Sequence, residues 1–309
     1  MKAKYSVIVP CYNEQEVLEE TNRRLTRVLE TLDGAWEILY VNDGSTDRTA
    51  SILEDLCSRD RRVKAIFFAR NRGHQIAVTA GLEHATGDAV VIIDADLQDP
   101  PELIPDMVAL WKQGAKVVFG KRRRRAGESR FKKWTASVYY KIINALTGGM
   151  IPRDTGDFRL ADRAVVEAIK RMPEHDRFLR GMFAWVGFEQ VPLEYDREGR
   201  FAGQTHYPLK KMLRLALDGI FGFSSKPLKL AFWMGAFWTG AGLLCGLILL
   251  ILLCAGVQGG LWWLAALMMV LGGNLLIAIG IAGEYIARIF DETRGRPLYI
   301  AQKMIGLDE

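Results

Sequence analysis

Five short runs of branched and aromatic apolar residues punctuate the first 120 positions: 5–10 (YSVIVP), 36–41 (WEILYV), 63–68 (VKAIFF), 88–93 (DAVVII) and 115–119 (AKVVF). Between them, apolar positions recur with helical period near 14–32, 47–60, 74–85 and 101–113. Strands alternating with helices predict an α/β fold, a mainly parallel Rossmann-like sheet covered on both faces. After position 128 the alternation weakens. Residues 131–146 place Phe131, Trp134, Val138, Ile142 and Leu146 on one helical face, which either packs on the sheet or dips into a membrane surface. Residues 207–221 predict a second amphipathic helix, with Lys210, Lys211, Arg214 and Asp218 opposite Leu209, Met212, Leu213, Ala216 and Ile220.

The pattern changes again in the last quarter. From Leu230 to Gly283 there is no Asp, Glu, Lys or Arg, enough for two membrane spans of about 20 residues each. Gly256-Val257-Gln258-Gly259-Gly260 supplies the turn. A buried hairpin of a soluble protein is the alternative, but such helices carry charge on some face. A basic amphipathic helix directly ahead of a span is expected to lie in the interface. The expected division is a catalytic domain at 1–206, an interfacial region at 207–229, two spans at 230–290 and a tail at 291–309. Lys226 and Lys229 precede the spans, Arg288, Arg294, Arg296 and Lys303 follow them, and the turn is uncharged. The positive-inside rule then places both termini and the catalytic domain in the cytoplasm, on an inner or plasma membrane. The N-terminal apolar run is too short for a secretory signal. Glu284 is expected to pair with Arg288 at i,i+4, and Gly272-Gly273 would permit a close helix approach and a homo-oligomer.

Charge and cysteine content narrow the partners only a little. The net charge of +5 suits anionic lipid headgroups or phosphorylated substrates, and by itself equally nucleic acid. The basic run at 121–125 (KRRRR) has no aromatic platform beside it, so nucleic acid is not expected. Cys11, Cys57, Cys245 and Cys254 have no metal-type spacing and fit a reducing compartment.

In parallel sheets ligands bind beyond the carboxyl ends of the strands. The segments to read are therefore CYNE (11–14), NDGSTD (42–47), RNRGHQ (70–75), DADLQD (94–99) and GKRRRR (120–125). Asp94 and Asp96, two apart at a strand end, point to one side and can share one divalent cation. Hard oxygen donors suit Mg2+ or Mn2+ bridging to phosphates. Asp99, ahead of Pro100-Pro101-Glu102, is assigned the competing role of helix N-cap. Asn42 and Asp43 fit a ribose hydroxyl or base edge, or an ordinary turn with Asp47 capping the next helix, and Gly44 permits close backbone approach. His74 and Gln75 start a helix and either cap it or touch a donor. No G-x-G-x-x-G or Walker lysine motif occurs, which excludes the usual dinucleotide and P-loop readings.

Taken together, SVIVPCYNE, VNDGSTD, NRGHQIAVTAGLEHATGD, VVIIDADLQDPPE, RDTGDFRL, GRFAGQTHYPLKKM and the late RGRPLYI resemble glycosyltransferase family 2. More narrowly they resemble its membrane-anchored polyprenyl-phosphate glycosyltransferases, the bactoprenol glucosyltransferase and dolichyl-phosphate mannose synthase groups. The resemblance implies a GT-A fold, a UDP-hexose or similar nucleotide-sugar donor, a divalent metal and inversion at the anomeric carbon. It places Pro10, Tyr12 and Glu14 along the base with Asp43 nearby, and Asp94, Asp96 and Gln98 around metal and diphosphate. Gln75 joins the donor-binding set. Arg122 faces phosphate and Asp157 lies near the sugar, where the family's acidic residue is often assigned as base. Arg200 and the loop through Thr205 fold over the donor or the lipid phosphate, and a lipid phosphate among membrane lipids also fits Arg122 to Arg130. Many relatives carry Ser-Lys where this chain has Thr205-His206, which weakens phosphate binding at position 206. A lipid phosphate monoester, with a second pKa of about 6, is already mostly a dianion at neutral pH. Asp157 is therefore expected to position groups more than to remove a proton. The alternatives are a processive polysaccharide synthase, which needs more spans and a Q-x-x-R-W motif, and a non-enzymatic membrane scaffold.

Overall fold

Four of the apolar runs form β1 (Lys4–Cys11), β2 (Ala35–Asn42), β3 (Val63–Phe68) and β4 (Ala89–Ile92), mutually parallel in the computed structural model. The structure describes residues 3–123, 155–196, 226–256 and 261–307. With β5 (Val117–Arg122), β6 (Thr155–Asp162), β7 (Gln190–Tyr195) and β8 (Ala301–Ile305), the described strands build an eight-stranded sheet ordered β7-β5-β6-β4-β1-β2-β3-β8. Only β6 and β8 run antiparallel to their neighbours. Val7, Ile8, Val9, Ile38, Tyr40, Val41 and Val91 are wholly buried. Side chains of both parities are therefore covered, as a sheet with helices on both faces requires.

The helices α1 (Leu18–Leu29), α2 (Thr49–Arg59), α3 (His74–His84) and α4 (Ile104–Lys112) differ in how they cover it. In α1 a stripe of Leu18, Thr21, Leu25, Val28 and Leu29 is buried, the spacing of a one-faced helix. In α3 the unbroken run Ala77–Leu82 is buried. A Cβ on Gly81 would fall 2.3 Å from Ile8 Cγ2, so α3 packs too closely on β1 for any larger residue. That contact sets the position of His74 and Gln75 at the helix start. Two further helices, α5 (Arg163–Lys170) and α6 (Leu179–Trp185), follow β6.

Three expectations need correction. The fifth strand does not stop at 119: Lys121 and Arg122 belong to β5, which pairs with β7. Glu194 on β7 takes Lys121 Nζ at 2.8 Å and Arg123 Nε at 3.7 Å, so two of the basic run pair with the neighbouring strand. Asp99 does not cap the helix after it. The cap residue is Pro100, and the buried Asp99 carboxylate accepts the Tyr195 hydroxyl. Residues 301–305, expected in a separate tail, are instead the edge strand beside β3. Tyr299 stacks on Phe68 with centroids 4.7 Å apart and donates to Glu83 at 2.8 Å, while Lys303 reaches Glu54 at 2.8 Å.

The chain divides into two compact units, Met1–Leu215 with Arg296–Glu309, and Ala216–Gly295. The second contains α7 (Lys226–Cys254) and α8 (Leu261–Thr293), which pack on each other. Their segments Ala231–Leu252 and Leu267–Thr293 have mean hydropathies of 2.1 and 1.8 and no buried share. At about 1.5 Å per residue each helix is longer than a hydrocarbon core of about 30 Å. Such exposure rules out the soluble buried hairpin: these are the helices of a membrane-associated chain. Glu284 and Arg288 pair at 3.3 Å as expected. Gly272 and Gly273 face open space, not the neighbouring helix.

Candidate active site

The loops after β1 and β2 are sewn together by reciprocal side-chain to backbone hydrogen bonds. Asn13 N donates to Ser45 Oγ at 3.0 Å, Thr46 N to Asn13 Oδ1 at 2.9 Å, and Arg48 N to Gln15 Oε1 at 3.1 Å. Asp47 accepts from Thr49 N at 3.0 Å, holding the first turn of α2. Asn13 adopts a left-handed φ of 57°, a conformation Asn tolerates better than most residues. Tyr12 is left 44% exposed, with Pro10 buried beneath and Glu14 half-buried beside it.

Asp43 turns the other way. Its buried carboxylate accepts from the amides of Arg72 at 2.6 Å and Gly73 at 2.9 Å. Burial pushes its pKa up, and those hydrogen bonds only partly oppose the rise. The close approach expected at Gly44 is to this same loop: a Cβ there would lie 2.6 Å from Arg70 C and Asn71 N. Gln75 is also engaged, its Oε1 accepting from Leu179 N at 2.9 Å.

Beyond β4, burial alternates. Ala95, Leu97 and Asp99 are buried, while Asp94, Asp96 and Gln98 are half-exposed on the other side. Gln98 N donates to Asp96 Oδ1 at 3.1 Å, which holds the turn. In the antiparallel ladder Ile92 faces Arg159, and extending that register by two places Asp157 opposite Asp94. His74 fills the gap, with Nε2 3.7 Å from Asp94 Oδ1 and 3.5 Å from Asp157 Oδ2. Arg180 grips Asp157 with both ends of its guanidinium, at 2.7 and 3.0 Å.

The electrostatics follow from these contacts. Burial resists charging His74, but the Asp94 and Asp157 carboxylates raise its pKa to about 9. Asp157 is half-buried, which resists its charging, yet Arg180 and His74 hold it well below the carboxylate range. Asp94 goes the other way: burial, with Asp157, Asp96 and Asp99 nearby, pushes it up to about 6 against the pull of His74. Burial and, among the described residues, the carboxylates around Asp94 outweigh the pull of His74. A hard divalent cation would relieve that imbalance, and the oxygen donors of Asp94 and Asp96 suit one. Among the described residues no three His, Cys, Asp or Glu are grouped to hold a metal unaided.

The structure thus brings Asp94, Asp96, Gln98, His74 and Asp157 together, with the 11–15 and 42–48 loops alongside. Arg122 ends β5, and Arg130, Arg200, Thr205 and His206 lie outside the described residues, as do the amphipathic segments 131–146 and 207–221. Arg180 and Arg159 escaped the sequence reading. Arg159 is buried, its pKa lowered to about 10 by that burial. Its presence in a strand pattern was the one available signal.

Residues 6–170 match the family described as Glycosyl transferase family 2. The chain belongs to that family. It is a glycosyltransferase with a GT-A fold. It is 49% identical to the uncharacterized glycosyltransferase YkcC of Bacillus subtilis, over 99% of this chain and 95% of that one. It is 39% identical to a prophage bactoprenol glucosyl transferase homolog of Escherichia coli, over 97% and 99% of the two chains. Among solved structures, a mycobacterial protein superposes with a TM-score of 0.50 at 22% identity, covering 71% of this chain and 73% of that one.

Proposed function

We propose that this glycosyltransferase moves a hexose, glucose from UDP-glucose, onto polyprenyl phosphate at the cytoplasmic membrane face, inverting the anomeric carbon. The carrying observation is the rim itself: Asp94 and Asp157 meet across His74, Asp96 lies in the field of Asp94, and Asp94 is pushed up to about 6 by burial and the neighbouring carboxylates. A nucleoside diphosphate with a divalent cation complements that arrangement. The identity to bactoprenol glucosyl transferases over nearly the whole chain supports glucose and a polyprenyl carrier, as do the two exposed apolar helices.

In this reading Pro10, Tyr12 and Glu14 line the base, and Asp43 shapes the site by holding the 70–73 loop. Asp94, Asp96 and Gln98 would hold Mg2+ or Mn2+ against the diphosphate. The cation would supply charge neutralisation of the leaving group. Arg122, Arg130, Arg200 and Thr205 receive the lipid phosphate, and 207–229, which separates the catalytic domain from spans 230–290 in the sequence, is the amphipathic segment that lies on the membrane surface. Asp157 orients the sugar. A carboxylate held so far below its usual pKa is a poor general base, and a phosphate dianion does not need one.

Membranes containing the protein, offered labelled nucleotide sugars and polyprenyl phosphate, should place label in the lipid fraction, with EDTA abolishing it. Polymer without glycolipid would move the protein to the synthase class. Transfer indifferent to chelation would remove the metal from the scheme.

A further inference from the structure

One short helix grips Asp157 from two directions. Arg180, in the first turn of α6, takes the carboxylate, Nε to Oδ1 at 2.7 Å and Nη2 to Oδ2 at 3.0 Å. One turn later, Phe183 lies 4.4 Å from the guanidinium carbon of Arg159. Arg159 in turn donates to the carbonyl oxygens of Gly156 at 3.0 Å and Asp157 at 3.3 Å. The side chain and the main chain of Asp157 are both set by α6.

The helix is itself tied to the nucleotide end of the sheet. Leu179 N donates to Gln75 Oε1 at 2.9 Å. Gln75 follows the 70–73 loop, whose Arg72 and Gly73 amides are held by Asp43. A continuous bonded path runs from the end of β2, through the starts of α3 and α6, to the start of β6. Stability alone does not account for the Arg180–Asp157 pair, because a buried ion pair adds little over a well-packed apolar one. A two-pronged guanidinium does add geometry: it fixes the plane of the carboxylate. Of the roughly four lone-pair positions on a carboxylate, Arg180 takes two and His74 faces a third, so the described residues engage three of the four.

We propose that Arg180 is a positioning residue of the transfer reaction, fixing the plane of the Asp157 carboxylate beside the donor sugar, with Gln75 holding α6 in register with the loop that Asp43 anchors. This rests on the reading of Asp157 as the residue that orients the sugar.

The test compares Arg180→Lys, Arg180→Met and Gln75→Leu with wild type in the full chain in membranes, reading kcat, KM for the nucleotide sugar, UDP affinity and melting temperature. Loss of the fork should lower kcat about 10-fold in Arg180→Lys and about 100-fold in Arg180→Met, the scale of a misplacement near 1 Å. Lysine keeps the charge and one hydrogen bond, so it rescues part of the loss. KM and UDP affinity should stay within about 3-fold, because they report binding rather than orientation. Gln75→Leu should lower kcat about 3- to 10-fold in the same manner. Wild-type kcat in Arg180→Met overturns the proposal. So does a loss in kcat matched by equal losses in UDP affinity and melting temperature, which marks a structural prop. Should Arg180→Met not fold, wild-type kcat in both remaining variants overturns it. The same variants are also read on donor hydrolysis by water, which needs no lipid. If wild type hydrolyses donor yet glycosylates no polyprenyl phosphate, the acceptor reading has failed while the Arg180 comparison still decides.

Discussion

Glu37 and Asp94 are acids at opposite ends of the same sheet, and the protein treats them in opposite ways. Glu37, near the start of β2, is buried among donors: Ser6 Oγ at 2.6 Å, Thr86 N at 2.9 Å and Thr86 Oγ1 at 2.7 Å, with Lys64 Nζ at 2.9 Å. Burial alone would raise its pKa, yet these partners bring it down to about 2. Asp94, just past β4, has His74 at 3.7 Å and three other carboxylates in its field. The first cluster is complete within the chain and ties β1, β2, β3 and the turn before β4 into register. The second, among the described residues, has more negative than positive charge around it and is partly open to solvent. Where a buried charge is fully answered by the fold, its role is structural. Where it is not, the missing partner comes from outside.

Asp96→Asn should have the largest effect on the open acidic site. Removing one of the two carboxylates proposed to hold the metal should cost about 100-fold or more in transfer, and Mn2+ should no longer raise the melting temperature. A variant that keeps both would end the metal assignment. Asp157→Asn should cost less, about 10- to 100-fold in kcat, with the Mn2+-induced shift intact. A larger loss than in Asp96→Asn, tracking a base that titrates near neutrality, would make Asp157 a proton acceptor instead. Glu37→Gln should leave the activity of the folded enzyme unchanged and lower stability by about 1–3 kcal/mol, since it strands buried donors. The pH dependence has a definite sign. A carboxylate depressed from 4.5 to about 2 on folding contributes stability above about pH 4.5 that is lost as pH falls toward 2. Melting temperature between pH 5 and pH 3 should therefore fall more steeply in wild type than in Glu37→Gln, and parallel curves would deny the cluster its role. Smallest of all, Tyr299→Phe removes the donor to Glu83 and should cost about 1 kcal/mol, measured by denaturant unfolding.

Much of the fold is written in local sequence pattern. The parallel strands followed from five branched apolar runs, and the helix pattern between them set the α/β class. The two exposed apolar helices followed from a stretch without charge. Asp94, Asp96 and Asp157 could each be picked out as candidates, the last through resemblance alone. Hidden were the partners. Nothing in RFLRGM marks Arg180 as the cation for an acid 23 residues earlier, and nothing in AQKMI, half polar and after a membrane helix, marks an edge strand. Asp99 was misjudged because Pro-Pro-Glu imitates a capped helix start, whereas the decisive contact, Tyr195, lies 96 positions away.

The division has a physical origin. Hydrophobic period and strand-end carboxylates are local properties, set by backbone geometry and by the cost of burying charge, so the chain alone determined the sheet, the apolar helices and the acidic rim. Which cation meets which acid depends on the insertion of β6 between β4 and β5 and on α6 docking at Gln75. Those are long-range packing outcomes in which many weak apolar contacts choose the register, and a few polar groups then find each other across it. Only the tertiary structure could decide that, among the described residues, Asp157 is gripped by Arg180 while Asp94 has His74 at 3.7 Å.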